Sequence, residues 1–233
     1  MMKRITLFAG HYGSGKTNIA LNYARWLKHR TPDAAVSIAD LDIVNPYFRT
    51  KDSKDALAAE GIELVVSEFA NSNVDFPALP KEIYSLVTPT PTTHSHSHSH
   101  YVVIDVGGDD RGALALGRYV DDIKASGDYE MLGVVNFSRP LTRTPEAAVE
   151  VLREIEYACK LPFTGLVNNT NLGQETSAAN ILDSMPSAER IAALMGIPLR
   201  FTCVPRALES ELLGGIDNLF PLDIQKLYYQ RTF

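Results

Sequence analysis

A run of eight residues near the amino terminus has the types and spacing of a phosphate-binding loop. It matches G-x-x-x-x-G-K-[ST] with Gly10, His11, Tyr12, Gly13, Ser14, Gly15, Lys16 and Thr17. Glycines allow successive backbone N–H groups to turn inward on a polyphosphate, and the following helix presents its positive N-terminal end. Lys16 would reach the β- and γ-phosphates, and Thr17 would hold Mg²⁺. We expect this run, with the adjoining Asn18, to bind a nucleotide; the alternative is a glycine-rich turn that only joins a strand to a helix.

Two acidic segments supply further groups that phosphoryl transfer needs. Asp40 and Asp42 follow each other closely at a strand end, and Asp105 ends another apolar strand in the manner of a Walker B aspartate. One carboxylate near Mg²⁺ and another that orients a water would suit a reaction in which the protein mainly positions groups and stabilises charge. Gly108 comes soon after Asp105 and lets the backbone approach the γ-phosphate. Taken alone, residues 40–42 also fit a solvated turn at a strand end.

The base of the nucleotide is expected beyond the sixth and seventh strands. Asn168 opens an asparagine-rich segment there, and Pro205 and Arg206 follow the next strand. An asparagine amide can pair with the N6 and N7 edge of adenine. Guanine-specific sites place a carboxylate in an Asn-Lys-x-Asp run, whereas residues 168–171 read Asn-Asn-Thr-Asn. The sequence therefore favours ATP over GTP, although a run of asparagines also forms turns.

Apolar runs and helical patterns alternate along the chain and predict the elements that position these residues. Strands are expected at residues 5–9, 36–39, 63–66, 101–106, 131–137, 164–168 and 199–204. Helices are expected at residues 16–29, 53–59, 111–125, 145–159 and 188–195, with Thr144 as a helix N-cap. This alternation predicts an α/β fold with a doubly wound, mainly parallel sheet and helices on both faces. Ligand contacts should gather at the carboxyl ends of the strands.

Length and composition are those of an ordinary globular protein, and we expect one domain over residues 1–233. The 22 basic and 28 acidic residues give a net charge of −6, which argues against general affinity for nucleic acids or anionic membranes. Cys159 and Cys203 are far apart in sequence, so neither a disulfide framework nor a zinc site is predicted. No stretch has the roughly 18 continuous apolar residues of a membrane span. A cytoplasmic protein is the expectation.

One segment, residues 88–100, does not fit the alternation of strands and helices. It is a low-complexity stretch of threonine and proline followed by alternating histidine and serine, ending at His100. Alternate histidines on one side of an extended strand would offer imidazoles to a transition metal. Because no carboxylate or cysteine accompanies them, a flexible exposed connection is the favoured interpretation.

With these pieces in this order, the chain resembles the MinD/ParA group of P-loop ATPases, also called the CobQ/CobB/MinD/ParA nucleotide-binding domain, over nearly its whole length. The resemblance implies ATP with Mg²⁺, a doubly wound sheet and a nucleotide-dependent homodimer. By position, Lys16 and Thr17 match the invariant lysine and the metal-binding hydroxyl of the group. Asp40 matches the acid near the metal, and Asp42 matches the acid that positions the attacking water.

The rest of the resemblance includes one departure. Asp105 and Gly108 match the second switch of the group. The group usually carries a second lysine after the first glycine of the loop, which reaches across the dimer, and this chain has His11 there. A neutral imidazole does not supply a permanent charge, whereas a protonated one would. Four arginines are the other candidates for the missing cation: Arg49, Arg111, Arg139 and Arg143.

These observations predict a Mg²⁺-dependent ATPase that acts as a nucleotide-controlled switch for an unidentified protein partner, with Lys16 and Asp42 as catalytic residues. Neither a membrane nor a nucleic acid is expected as a partner. One alternative is an ATP-dependent small-molecule kinase or ligase similar to dethiobiotin synthetase. Its substrate pocket would be lined by Asn45, Tyr47, Arg49 and Asn136. The other alternative is a nucleotide sensor that does not hydrolyse.

Overall fold

The strands form a single parallel sheet. The computed structural model describes residues 2–41, 51–66, 81–88, 100–108 and 114–223. The strands are β1 (Ile5–Ala9), β2 (Ala35–Asp40), β3 (Ile62–Val66), β4 (His100–Asp105), β5 (Tyr129–Val135), β6 (Gly165–Asn168), β7 (Leu199–Pro205) and β8 (Leu219–Leu222). Their order in the sheet is β3-β2-β4-β1-β5-β6-β7-β8, and all neighbouring pairs are parallel. β1 therefore lies between β4 and β5, near the middle of the sheet.

Helices cover both faces of this sheet. They are α1 (Lys16–Arg30), α2 (Lys51–Ala59), α3 (Lys81–Val87), α4 (Val120–Ser126), α5 (Pro145–Cys159), α6 (Ala178–Met195) and α7 (Glu209–Leu212). Successive strand residues point to opposite faces, and β1 illustrates this. Ile5 and Leu7 are buried in the apolar cluster that includes residues of α3, α4, α5 and α6. Phe8 is buried in the cluster that includes residues of α1 and α2. The predicted doubly wound α/β fold is confirmed.

The starts of α5 and α6 are both set by local capping residues. α5 begins as predicted, because Thr144 accepts a hydrogen bond from the Ala147 backbone N–H at 3.3 Å. α6 begins at Ala178, ten residues before the predicted start, and contains Pro186. Ser177 and Asn180 form a capping box at its start, and this reciprocal cap starts a helix that continues through the proline.

Four other elements differ from the sequence-based predictions. The helix expected at residues 111–125 is observed as α4 (Val120–Ser126), preceded by one helical stretch at residues 114–116 and a turn, and residues 111–113 lie outside the described part of the chain. The predictions omitted the short helices α3 and α7 and the four-residue strand β8. Among the helices that the structure describes, none is long and apolar enough to cross a lipid bilayer.

The topology brings several strand ends to one place. β1 pairs with β4 and with β5, and β2 pairs with β4. Because all of these strands are parallel, the segments that follow them leave the sheet at the same edge. The phosphate-loop segment follows β1 at this edge. The segments that reach it follow β4, β5 and β6, and β2 ends at the same edge.

Candidate functional site

The phosphate-loop segment forms a tight turn between β1 and α1. Gly15 has φ +87°, in the left-handed region that glycine adopts without strain. The Ser14 backbone N–H donates to the His11 carbonyl at 3.1 Å, which closes the first part of the turn. Tyr12 projects outward from the loop with 64% of its surface exposed. Gly10 lies buried at the end of β1, and Asn18 lies half-buried in the first turn of α1. The sequence thus folds here as the predicted strand, loop and helix.

Lys16 and Gly108 meet on the inner side of this loop. Lys16 is buried, and its Nζ donates to the His11 carbonyl at 3.3 Å. Gly108 lies so close that a Cβ added to it would be 2.8 Å from the Lys16 Nζ and 2.8 Å from the Tyr12 backbone nitrogen. Only a residue without a side chain fits this position. The segment after β4 therefore rests directly on the phosphate loop and on the ammonium group of its lysine.

A hydroxyl and two carboxylates gather at the start of α1. The Thr17 Oγ1 donates to the Asp105 Oδ2 at 2.5 Å. Asp40 pairs with Asp105 in the register of β2 and β4, and the two residues are only 5% and 1% exposed. Two buried carboxylates side by side are favourable only with compensating positive charge. Hydroxyl and carboxylate oxygens are the donors that Mg²⁺ prefers, so these residues fit the metal.

The remaining ligands of such a metal would come from the nucleotide. In the described part of the chain, no group of three or more His, Cys, Asp or Glu side chains is arranged to hold a metal. Mg²⁺ usually binds through one or two carboxylates together with phosphate oxygens and water. Asp42, predicted to orient the attacking water, lies outside the described residues. The Leu41 backbone N–H just before it donates to the Asp105 carbonyl at 2.9 Å.

Two side chains hold the phosphate loop from its outer side, and sequence reasoning assigned neither of them this contact. The Asn169 Nδ2 donates to the Ser14 carbonyl at 2.6 Å, and both residues are buried. The Arg139 Nε donates to the Gly13 carbonyl at 3.0 Å from an exposed position. These residues follow β6 and β5, respectively. Their signal in the sequence is only a polar residue shortly after the end of a strand that neighbours the loop.

Asn168, the last residue of β6, makes its described contacts within the protein. It is 0% exposed, and its Nδ2 donates to the Ser184 Oγ of α6 at 2.7 Å. Its Oδ1 accepts from the Thr170 backbone N–H at 3.1 Å and from the Thr170 Oγ1 at 2.7 Å. This amide therefore joins β6 to α6 with both its nitrogen and its oxygen engaged, and its role in binding the base stays a prediction. Its neighbour Asn169 turns to the opposite face and contacts the phosphate loop.

The segment after β7 also carries internal contacts. Arg206 donates from Nε and Nη2 to the two carboxylate oxygens of Asp223 at 2.6 and 2.8 Å. The hydrogen bonds to Asp223 raise the pKa of Arg206, and those from Arg206 lower the pKa of Asp223. Pro205, the last residue of β7, is half-buried. A base would meet the Arg206 guanidinium here already paired with Asp223.

The structure distinguishes among the residues proposed to replace the second lysine of the MinD/ParA loop. Arg49 and Arg111 lie outside the described residues, and Arg143 is exposed beyond the loop that carries Arg139. The His11 Nδ1 lies 2.9 Å from the carbonyl of the adjacent Tyr12. Of the candidates in the described part of the chain, Arg139 is the arginine whose side chain contacts the phosphate loop.

Other residues singled out in the sequence lie apart from this site. Asn136 is buried and holds neighbouring loop residues, so it does not line an open pocket as the kinase alternative requires. Asn45 and Tyr47 lie outside the described residues, as do residues 94–99 of the histidine-rich segment. His100 begins β4, and its Nε2 lies 2.7 Å from the Ser37 Oγ. Burial lowers the pKa of His100.

Comparison with known proteins identifies the fold of this chain but not its family. No family model matches the chain, and no curated protein matches it. FtsY from Mycoplasma mycoides is similar in structure, with a TM-score of 0.54 and 15% identity, and the match covers 88% of this chain and 60% of that one. The signal recognition particle receptor FtsY from Elizabethkingia anophelis, in complex with GDP, is similar with a TM-score of 0.52 and 16% identity. This match covers 88% of this chain and 58% of that one.

A third similar structure is the signal recognition particle 54 kDa protein from Aeropyrum pernix K1, also in complex with GDP. It gives a TM-score of 0.50 and 18% identity, and the match covers 87% of this chain and 41% of that one. Likeness at this identity shows the fold, which is an α/β P-loop NTPase-like fold. The chain spans only about 60% or less of the length of these structures. The MinD/ParA assignment within this fold stays a prediction.

Proposed function

We propose that this chain is a Mg²⁺-dependent nucleoside triphosphatase of the MinD/ParA type that acts as a nucleotide-controlled switch for a protein partner. The contact between Thr17 and Asp105, beside Asp40, carries the proposal. There, a hydroxyl from the phosphate loop contacts the buried carboxylate of Asp105, and the buried Asp40 is the register partner of Asp105 on the neighbouring strand. A loop of this kind without such a set would bind phosphate, but it would lack the metal ligands that phosphoryl transfer requires.

Each side chain of the site has a distinct task in this proposal. Bound Mg²⁺ would neutralise charge that develops on the phosphate oxygens. Thr17, Asp40 and Asp105 hold the metal, and Lys16 stabilises charge on the transferring phosphoryl group. Asp42 orients the attacking water.

The contact of Gly108 with Lys16 supports the switch part of the proposal. The Gly108 backbone lies close to the Lys16 Nζ. A γ-phosphate bound to that Nζ would therefore compete with Gly108 for the same space. The segment after β4 therefore takes a different position when a triphosphate is bound, and a partner protein can read that position.

ATP is the nucleotide that the residues favour. Asn171 stands where a guanine-specific site has its carboxylate, and its amide is already engaged in the loop after β6. Its Nδ2 donates to the Asn169 carbonyl at 2.7 Å, and its Oδ1 accepts from the Gly173 N–H at 3.2 Å. An amide presents one acceptor, whereas guanine offers two N–H donors. GTP is the second candidate, because two of the similar structures contain GDP.

Titration calorimetry and phosphate release test this proposal together. Wild-type protein is titrated with ATP and with GTP in the presence and absence of Mg²⁺, and turnover is measured with no added metabolite. We expect Lys16→Ala to weaken binding by about tenfold to a hundredfold, because it removes a charge-assisted contact with phosphate. We expect Asp42→Ala to bind with near wild-type affinity and to lose hydrolysis. Wild-type nucleotide affinity in the Lys16→Ala variant would contradict the phosphate-loop assignment.

Other results would assign the site differently. Turnover that strictly requires a metabolite would favour a small-molecule kinase or ligase, and tight binding with ATP recovered intact would favour a sensor. Size measurement with ADP and with a non-hydrolysable ATP analogue tests the proposed nucleotide-dependent homodimer. An unchanged mass with both nucleotides would contradict the dimer while leaving the hydrolytic assignment standing.

A further inference from the structure

Arg139 places a positive charge on the outer side of the phosphate loop. Its Nε donates to the Gly13 carbonyl at 3.0 Å. A Cβ added to Gly13 would lie 3.5 Å from this Nε and 3.9 Å from the Cζ, so the guanidinium lies against the loop at Gly13. The side chain is exposed, and in the part of the chain that the structure describes its hydrogen bond to Gly13 uses one of five N–H donors.

The backbone that carries Arg139 is held in place by a buried asparagine. Asn136 accepts from the Arg139 backbone N–H at 3.1 Å and from the Thr142 Oγ1 at 2.6 Å through its carbonyl. Its Oδ1 accepts from the Ser138 N–H at 2.9 Å, and its Nδ2 donates to the Asn171 carbonyl at 3.3 Å. This network fixes the backbone of the turn before any ligand binds, so little backbone entropy remains to be lost there on binding.

We propose that Arg139 is a positioning residue that acts in cis through the loop backbone it holds at Gly13, and that its guanidinium adds, from behind the loop, positive charge near the bound polyphosphate that position 11 of this chain lacks. The inference rests on the proposed function, since it concerns the same nucleotide site. A guanidinium stays charged at all relevant pH values, whereas the imidazole of His11 does not. Arg139 reaches the loop from its own chain, so its contribution requires no second subunit.

Three substitutions at this position separate charge from packing. Arg139→Lys keeps the charge, Arg139→Gln keeps an amide donor without the charge, and Arg139→Met keeps only an apolar stem. We expect the Gln and Met variants to bind ATP about fivefold to tenfold more weakly at low salt and the Lys variant to stay close to wild type. At about 1 M salt, where screening acts over about 3 Å, the differences should shrink to about twofold. Arg153→Met, which removes an exposed charge from α5, is the matched control and should bind as wild type does.

A purely structural role for Arg139 predicts a different pattern. The Gln variant would then behave as wild type or lose affinity equally at both salt concentrations, and either result would overturn the inference. The three variants should also melt within about 2 °C of wild type, because the side chain is exposed. ADP, which has fewer negative charges than ATP, should lose less affinity than ATP.

A mixing experiment tests whether the charge acts in cis. Lys16→Ala protein, which retains Arg139, is added in excess to Arg139→Met protein, which retains Lys16. Cis action predicts that turnover stays at the level of the Arg139→Met protein alone, and a rise toward wild type would show action in trans. If wild-type protein binds no nucleotide at all, the proposed function itself fails. If wild type binds and the Lys16→Ala variant binds about tenfold to a hundredfold more weakly, an unchanged ATP affinity in Arg139→Met overturns only this inference.

Discussion

Removing the Asn169 side chain should weaken both the fold and the nucleotide site. Its Nδ2 donates to the Ser14 carbonyl at 2.6 Å, and the two residues are 4% and 2% exposed. In Asn169→Ala the Ser14 carbonyl stays buried and loses this donor, which costs about 1 to 3 kcal/mol. A loss of about 2 kcal/mol in the free energy of unfolding lowers the melting temperature of a chain of this size by about 4 to 8 °C.

The same substitution should also raise the dissociation constant for ATP. In a trans peptide the carbonyl of one residue and the N–H of the next point in opposite directions. Holding the Ser14 carbonyl outward therefore directs the Gly15 N–H inward, toward the place where the proposed nucleotide would put its phosphates. If about 1.4 kcal/mol is needed to restore this orientation in the variant, affinity falls about tenfold.

Ser184→Ala is the matched control for this measurement. Ser184 is also buried, and its Oγ accepts from the Asn168 Nδ2 at 2.7 Å, away from the phosphate loop. We expect a comparable loss of stability with a dissociation constant within about twofold of wild type. Unfolding can be followed by the fluorescence of Trp26, the single tryptophan, which stacks on Tyr23 in α1 at 5.2 Å between ring centroids. An Asn169→Ala variant that is destabilised but binds ATP as wild type does would refute the reasoning.

Two further predictions concern the segment after β4 and the effect of acid. Gly108→Ala should lower phosphate release at least about tenfold, because its Cβ would lie 2.8 Å from the Lys16 Nζ; wild-type turnover would contradict this. Burial, with a smaller contribution from Arg4, lowers the pKa of His100, and Glu63 opposes the shift. The unfolded chain then binds more protons below about pH 6.5, so stability should fall as pH drops from about 7.5 to about 5.5. Urea unfolding of His100→Gln should show a smaller fall, and an equal fall in both proteins would exclude His100 as the cause.

The sequence was informative wherever a local signal determines the structure. The spacing of glycines with Lys16 predicted the turn between β1 and α1, and the apolar run that ends in Asp105 predicted a strand with a carboxylate at its end. Thr144 followed by a proline predicted the start of α5, because an N-cap and a first-turn proline act within a few residues. The two acids that line up in the register of β2 and β4 were likewise visible as strand ends.

Other features depended on which face of the sheet a residue takes. Asn168 and Asn169 are adjacent and chemically identical, yet one packs against α6 and the other holds the phosphate loop. Successive residues in an extended segment point to opposite faces, so an error of one position reverses the assignment. The contact of Arg139 with the loop similarly depends on β5 lying beside β1, and a linear sequence does not specify that order.

The position of β1 in the sheet explains why the phosphate loop has supports on several sides. Because β1 lies between β4 and β5, the segments after those strands reach the loop through Gly108 and Arg139, and β6 adds Asn169. Gly108 meets the loop at Lys16, whereas Arg139 and Asn169 hold backbone carbonyls on its outer side. Under the proposed function, a nucleotide that displaced Gly108 would act against a loop whose opposite side is held by Arg139 and Asn169. Occupancy of the site would then shift Gly108 rather than the loop, as a nucleotide-controlled switch requires.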